Sequence, residues 1–246
     1  MIKEIFEHKS IRKYLKKEIP DAILNDILIA ATRASNTGNM QTYSIIVTKD
    51  EEMKKQLAPT HFNQKMVEEA AVILTFCADF NRFNKWCKLR NAEPGYDNFL
   101  SFMSAATDAV IAAQNASLEA ENHNLGICWL GTVIYNAEKI IEILKLPESV
   151  VPVATITIGY PDENPELTDR LPLEAIVHNE YYHNYSDEEI NKLYFEKENL
   201  SDSKKYIQEQ NKENLAQIFT DIRYPKKNNE HFSQELIKVL KKQKFL

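Results

Sequence analysis

Glycine is scarce in this chain, with five residues in a sequence of 246. None of the glycine-dependent signature motifs occurs: there is no G-x-G-x-x-G, no G-x-x-x-x-G-K-[ST] and no G-x-S-x-G. These motifs are typical of Rossmann dinucleotide-binding domains, P-loop nucleotidases and α/β-hydrolases. The chain therefore lacks the usual signatures of three large enzyme classes, and any active site must be built from other residues.

Cysteine is also rare. Cys77, Cys87 and Cys128 make an odd number without a C-x-x-C pair, so neither a disulfide framework nor a zinc site is indicated. The six histidines show no metal-ligand spacing beside a carboxylate, apart from a weak set within residues 178–183. We expect no metal site, and the cysteine usage favours a reducing compartment.

Long apolar runs are missing as well. No run reaches membrane-spanning length, and the opening residues are charged rather than the apolar core of a signal peptide. The net charge of -6 argues against general nucleic-acid binding, which needs a basic surface. With 43% hydrophobic and 27% charged residues, the composition is that of a globular protein with a real core. We therefore expect a cytoplasmic protein without nucleic-acid or membrane partners.

What the chain does contain is an alternation of helical and strand patterns. Apolar residues at helical spacing predict helices over residues 21–34, 99–124 and 137–146. Apolar and β-branched runs predict strands over residues 43–48, 71–77 and 151–159, and residues 126–131 predict a short strand or a turn. From about Asp187 the sequence is polar and helix-prone with spaced apolar anchors. Periodicity alone favours a parallel α/β sheet followed by a helical tail.

One short segment, His8 to Tyr14, concentrates side chains that suit an anionic ligand. Arginine offers a planar fork of donors for phosphate, lysine a mobile charge, and serine a hydroxyl. If a helix runs from Glu4 to Tyr14, His8 and Arg12 lie four residues apart and share one face. The alternative is a solvated, lysine-rich helix face without a ligand.

Several motifs together resemble the flavin-dependent nitroreductase family, in the branch of oxygen-insensitive NADPH nitroreductases and NADPH-flavin oxidoreductases. His8-Lys9-Ser10-Ile11-Arg12 is similar to that branch's opening His-Arg-Ser-Ile-Arg, with lysine in second place. The other similar places are Phe76 to Arg82, Leu144 to Pro147, Gly159 to Pro161, Asn164-Pro165 and Arg170-Leu171-Pro172. The resemblance covers roughly residues 1–185 and weakens in the tail.

The resemblance implies an α+β fold, with a mixed, largely antiparallel sheet flanked by helices and a helical C-terminal extension. It divides the chain into an FMN-binding part, residues 1–185, and an extension, residues 186–246, which belongs to the same domain and embraces the partner of a homodimer. The implied cofactor is FMN. The residues matched to its binding site are His8, Lys9, Ser10, Arg12, Ser35, Asn39, Gln41, Gln64, Trp129, Leu130, Gly131, Thr168 and Arg170.

Two of these positions depart from the family pattern. Lys9 replaces an arginine and loses the bidentate fork, and Thr168 replaces a lysine that often precedes the distal phosphate ligand, Arg170. Thr132 stands where relatives often carry a second glycine. The phosphate site therefore has one positive charge fewer than the family pattern implies.

The implied activity is a two-step hydride transfer through the flavin, from NADPH or NADH to a small-molecule acceptor such as a nitroaromatic, a quinone or free flavin. No catalytic acid–base residue is predicted, because the cofactor carries the chemistry. The chain has no arginine between Arg170 and Arg223, so we expect relaxed donor use, with Lys204, Lys205 and Lys212 as substitutes. Alternatives are a flavin-handling module with little turnover, a flavin-free anion-binding protein, and an enzyme with a specialised acceptor.

Overall fold

A computed structural model describes all residues, 1–246. The chain divides into two compact units. The first contains Met1–Glu166 together with Phe232–Leu246, and the second contains Leu167–His231.

The first unit is built around a four-stranded sheet in the order β1-β2-β4-β3. The strands are β1 (Tyr43–Thr48), β2 (Val72–Asp79), β3 (Gly126–Trp129) and β4 (Val150–Gly159). Every strand pair is antiparallel, and an isolated bridge between Ser10 and Ile127 adds one parallel element. The parallel α/β sheet favoured by periodicity alone is therefore wrong. The mixed, largely antiparallel sheet implied by the family resemblance is confirmed.

The two central strands, β2 and β4, explain the apolar runs of the sequence. All eight residues of β2 are buried, as its continuous run Val-Ile-Leu-Thr-Phe-Cys-Ala-Asp predicts for a strand covered on both faces. The register shifts between Phe76 and Cys77, opposite the stretch of β4 that contains Pro152. A bulge is where a central strand tolerates proline, which cannot donate to the ladder.

Helices cover both faces of the sheet. In the first unit they are α1 (Lys3–Phe6), α2 (Asp21–Thr32), α3 (Glu51–Leu57), α4 (Met66–Glu69), α5 (Asn81–Leu89), α6 (Phe99–Asn122) and α7 (Ala137–Ile143). The predictions for α2 and α6 are confirmed. The helix predicted to reach Leu146 ends three residues earlier, at Ile143. Helices α3, α4 and α5 were not predicted.

The central helix α6 lies against the sheet through a row of small side chains. Its buried alanines pack in the same hydrophobic cluster as α2 and strands β2 and β4, and they include Ala109, Ala112, Ala113, Ala116 and Ala120. Small residues let the helix axis approach the sheet closely, and close packing is what stabilises such a layer. The only buried carboxylate of α6 is Asp108, which accepts hydrogen bonds from the loop before β1.

The C-terminal part of the chain is helical, as predicted. It forms α8 (Asp187–Asn199), α9 (Ser201–Glu209), α10 (Leu215–Gln217), a π-helical turn (Ile218–Arg223) and α11 (Lys226–Lys242). A capping box between Ser186 and Glu189 fixes the start of α8. None of the helices in the structure combines the length and the apolar character needed to cross a bilayer.

Candidate cofactor site

The segment from His8 to Tyr14 is not helical, so the condition under which His8 and Arg12 would share a helix face is not met. Helix α1 ends at Phe6, and the chain then runs extended beside β3 and β4. The Ile11 amide donates to the Ile127 carbonyl at 2.8 Å, and Leu15 donates to Tyr160 at 2.9 Å. These long-range bonds offset the local helical preference, so His8 and Arg12 are not placed on one face by helical spacing.

Two side chains of this segment anchor it in the core. Ile11 and Tyr14 are buried, while Arg12 and Lys13 between them are exposed. The Tyr14 hydroxyl donates toward the Ile11 carbonyl at 2.8 Å and lies 2.9 Å from the Thr157 hydroxyl. Burial raises the pKa of Tyr14 well above its usual value, so the hydroxyl keeps its proton. The segment therefore presents its cations to solvent from a fixed backbone.

The cations at positions 9 and 12 have no carboxylate partner. The Lys9 ammonium contacts only the Asn164 side-chain oxygen, at 3.0 Å, and the Arg12 guanidinium contacts only the Ser10 carbonyl, at 3.5 Å. Glu163 accepts from the backbone amides of Arg12 and Lys13 instead of pairing with their side chains. The structure thus leaves both charges available to an anionic ligand.

His8 and Ser10 flank these cations. The His8 imidazole binds Glu121 of α6, with Nδ1 2.6 Å from Oε1. Ser10 forms the bridge to Ile127, two residues before Trp129 on β3. The opening motif therefore lies beside the strand that leads to the next group of predicted site residues.

The loop from Ser35 to Gln41 forms a second part of the predicted site. Gly38, Asn39 and Gln41 all have left-handed backbone conformations, with φ between 54° and 56°. The loop is held from α6 by Asp108, which accepts from the Thr37 amide at 2.9 Å and the Thr42 hydroxyl at 3.1 Å. The side chains of Ser35, Asn39 and Gln41 are exposed and have no hydrogen-bond partner within the chain, so they are available to a ligand.

Gln64 belongs to a third part of the predicted site, where the loop after His61 is connected to the turn after β3. Its side-chain amide donates to the His61 carbonyl at 3.0 Å, and the His61 ring nitrogen Nδ1 is 2.8 Å from the Thr132 hydroxyl. His61 is buried, and burial lowers its pKa to about 4, so the ring is neutral at physiological pH. The position of Gln64 is thereby tied to the turn that begins at Gly131.

At the end of β3, the three predicted residues have different surroundings. The Trp129 indole donates to Ser117 of α6 at 2.9 Å, and the buried Leu130 donates its amide to the Thr155 carbonyl at 2.8 Å. Gly131 is exposed, and its amide, like that of Thr132, has no acceptor within the chain. The free backbone donors of this strand end are therefore those of Gly131 and Thr132.

Thr168 and Arg170 lie in the second unit. The Arg170 guanidinium is exposed and donates only to carbonyls of its own neighbours, Thr168 at 3.2 Å and Asp169 at 2.9 Å. The Asp169 carboxylate is occupied by Lys197 of α8 at 2.6 Å. Arg170 therefore also keeps a charge that no carboxylate neutralises.

Comparison with known proteins identifies the family. Residues 5–160, more than half of the chain, match the nitroreductase family. The chain belongs to the nitroreductase family. The resemblance inferred from its motifs is confirmed.

Three relatives show how far the similarity extends. Over 175 residues, the nitroreductase is 36% identical to the oxygen-insensitive NADPH nitroreductase of Salmonella typhimurium, covering 71% of each chain. The crystal structure of a Bacteroides fragilis protein is 52% identical and superposes with a TM-score of 0.97 over 98% of each chain. The NADPH:FMN oxidoreductase of Vibrio harveyi, complexed with NAD+, is 30% identical with a TM-score of 0.76, over 89% of this chain and 94% of that one.

Three residues of this nitroreductase support the site without having been predicted from the sequence. Glu163 holds the backbone under Arg12, Glu121 binds His8, and Asp108 holds the loop at Ser35 to Gln41. Each lies at least 66 residues from its partner along the chain. A carboxylate in a helix or loop carries no local signal of such a role, so spacing arguments could not find them.

The loop anchor at Asp108 gives a first prediction. Replacing Asp108 by asparagine removes the charge that assists its hydrogen bonds to Thr37 and Thr42, and we expect unfolding to become easier by about 1.5 kcal/mol. Hydrogen exchange at the Thr37 amide should accelerate together with the shift in the urea midpoint. Asp97→Asn, on an exposed loop residue without such bonds, is the control. An unchanged Thr37 exchange rate would contradict the anchoring role.

Proposed function

We propose that this nitroreductase binds FMN through its opening segment, and that it transfers hydride from NADPH or NADH to a small-molecule acceptor. One observation carries the site assignment: Lys9 and Arg12 have no carboxylate oxygen within 4.0 Å of their charged groups. A phosphate carries nearly two negative charges, and burying it requires compensation from fixed cations. The chemistry of these donors fits the phosphate of FMN.

The remaining predicted residues suit the other parts of the cofactor. Ser10 and His8 lie on the same extended segment and supply neutral or ionisable donors for phosphate and ribityl oxygens. The free amides of Gly131 and Thr132, together with Gln64, supply donors for the polar edge of the flavin ring. Exposed side chains of Ser35, Asn39 and Gln41 supply further polar contacts from a loop that Asp108 keeps rigid.

When bound, FMN supplies the hydride-transfer chemistry, accepting from the nicotinamide and giving to the acceptor. The chain's own task is to orient both substrates in turn and to place backbone donors where negative charge develops. No side chain of the site needs to act as acid or base for this task. The enzyme is accordingly an NAD(P)H-dependent oxidoreductase whose acceptors are nitroaromatics, quinones or free flavin.

Relaxed donor use is supported by the lysines and the arginine of the second unit. Lys212 is paired with Asp221 at 2.9 Å and Lys205 with Glu209 at 3.9 Å. The Arg223 guanidinium lies 5.2 Å from the ring centres of Tyr206 and Phe219. Of the lysines expected to hold the extra phosphate of NADPH, only Lys204 has no carboxylate partner, which favours comparable use of the two nicotinamides.

We further propose a homodimer, embraced by the extension of residues 186–246 that completes the domain of residues 1–185. Exposed apolar side chains support this, because large apolar patches usually mark protein interfaces. They occur at the start of α6, as with Leu100 and Met103, and in the second unit, as with Leu173 and Tyr181. Light scattering should give twice the chain mass of 28.5 kDa; the mass of one chain would contradict the dimer.

A cytoplasmic location is supported by the cysteines. Cys77, Cys87 and Cys128 are all buried free thiols. Burial raises the pKa of Cys77 and of Cys128, which keeps both in the less reactive thiol form. Such cysteines are typical of proteins that stay in a reducing compartment.

Anaerobic reduction tests cofactor, donor and acceptor together. Purified protein should carry FMN and be yellow, and each nicotinamide should bleach it. A nitrofuran or a quinone should then restore the colour. We expect kcat/KM for NADPH and NADH to differ by less than about tenfold, equal to roughly 1.4 kcal/mol of discrimination. A larger preference for NADPH would contradict relaxed donor use.

Three other results would replace the proposal. Protein that is yellow but is bleached by neither nicotinamide would indicate a flavin-handling module with little turnover. Colourless protein that does not take up added FMN would indicate an anion-binding protein and contradict the enzyme assignment. Reduction by nicotinamide without reoxidation by either acceptor would indicate a specialised acceptor.

A further inference from the structure

A histidine–carboxylate pair joins the opening segment to the central helix. His8 Nδ1 lies 2.6 Å from Glu121 Oε1, and the two residues are 113 positions apart. The side chains are 32% and 13% exposed, so the carboxylate is much more covered than the surface ion pairs of this chain. A contact this short between partners from distant elements fixes the position of both side chains.

Glu121 has few alternatives to this contact. Burial raises the pKa of Glu121, and the nearby Glu4 of α1 acts in the same direction, while the His8 imidazole opposes both. No other hydrogen bond of the Glu121 carboxylate is present in the structure. Burying a carboxylate costs free energy unless it has a partner. The His8 imidazole is therefore the group that compensates for the burial of Glu121.

The pair also determines how His8 faces its surroundings. With Nδ1 held at the carboxylate, the ring cannot turn freely, and Nε2 is the nitrogen left for another partner. Nε2 has no hydrogen-bond partner within the chain. Where a carboxylate fixes a metal-ligating histidine in this way, its removal lowers metal affinity or activity by about 10- to 100-fold. We expect the same kind of effect on an anion bound by Nε2.

We propose that Glu121 is a positioning residue: it holds the His8 ring in its doubly protonated form, so that Nδ1–H donates to the carboxylate and Nε2–H donates to the phosphate of FMN. This inference rests on the proposed function, because it assumes that the opening segment binds the phosphate. Glu121 does not touch the cofactor. It acts through His8, and it keeps a negative charge near an anionic ligand only because the imidazole lies between them.

The test compares binding of FMN with binding of riboflavin, which lacks the phosphate. In Glu121→Gln, we expect the Kd for FMN, measured by flavin fluorescence, to rise by about 10-fold, with the riboflavin Kd unchanged. His8→Gln should show the same selective loss. The double variant should bind FMN as His8→Gln does, because Glu121 acts only through that ring.

Glu119→Gln is the matched control. Glu119 lies two residues away on α6, has the same charge and is paired with another histidine, His123, at 3.1 Å. Its substitution should leave both Kd values unchanged. If Glu121→Gln does not fold, Glu121→Asp takes its place, since it withdraws the carboxylate by one methylene while keeping the charge.

Three results would overturn the inference: equal loss of FMN and riboflavin binding, additive losses in the double variant, or an unchanged FMN Kd in Glu121→Gln. Each of these results would mean that the His8–Glu121 pair only connects α6 to the opening segment and does not position a phosphate ligand. Wild-type protein that binds neither flavin would instead contradict the proposed function itself, so the two failures are distinguishable.

Discussion

Arg12→Ala is expected to release FMN, with a rise in Kd of at least about 100-fold. In the proposed site, Arg12 supplies a planar fork for the phosphate, and two charge-assisted hydrogen bonds contribute about 3 kcal/mol, which corresponds to about 100-fold in affinity. Its guanidinium is exposed and bound only to the Ser10 carbonyl, so the substitution removes a ligand donor without disturbing an internal ion pair. Flavin fluorescence after dilution of the yellow protein measures the release.

Two departures from the family pattern make the expected contribution of Arg12 to phosphate binding larger. Lys9 offers a single mobile charge in place of a fork, and Thr168 offers no charge in place of a lysine. In the proposed site fewer cations therefore share the phosphate, so the loss of Arg12 has a larger effect.

Lys13→Ala is the matched control for Arg12→Ala. Lys13 is the next residue, is also exposed, and donates its backbone amide to the same Glu163 carboxylate. Its ammonium has no partner within the chain and does not belong to the predicted site. Arg12→Lys, which keeps the charge and loses the fork, should fall between the wild type and Arg12→Ala. Tight retention of FMN in Arg12→Ala would show that the phosphate lies elsewhere.

The elements that the sequence predicted correctly are those with strong patterns of their own. Strand β2 is apolar at nearly every position because both of its faces are covered. Helix α6 is rich in alanine on one side because that side lies against the sheet. In both cases local composition and tertiary environment agree, so the pattern alone is sufficient.

The opening segment shows why the rest could not be predicted. Its composition permits a helix, but residues far along the chain supply better backbone partners, as Ile127 does for Ile11 and Tyr160 for Leu15. Leu130 is a second example. The family resemblance implies that Leu130 contacts the flavin, but only the structure shows that its amide already donates to the Thr155 carbonyl.

Two of the five glycines lie where the opening segment meets the sheet. A Cβ atom at Gly126 would lie 2.6 Å from Cγ1 and 2.7 Å from Cβ of Ile11. At Gly159 it would lie 2.7 Å from Cδ1 of Tyr14. Such distances are shorter than carbon atoms tolerate, so each glycine is required for the close approach of the segment.

Gly126→Ala is therefore expected to destabilise the fold by about 3 kcal/mol, at the upper end of the usual cost of overpacking. Ile11 cannot simply withdraw, because its amide is bonded to the Ile127 carbonyl at 2.8 Å and its side chain is part of the core. Any shift carries the neighbouring Ser10 and Arg12 with it. We expect the purified variant to lose most of its FMN as well as stability in urea.

Gly95→Ala separates this steric effect from the general effect of replacing glycine. A Cβ atom at Gly95 would meet no other atom within 4 Å, and the backbone there is not left-handed, so alanine should leave the urea midpoint and FMN content unchanged. A Gly126→Ala protein with the wild-type midpoint and full FMN content would mean that the opening segment is not pressed against β3. Loss of FMN without loss of stability would instead mean that the segment yields locally, and that cofactor binding depends on its exact placement against the sheet.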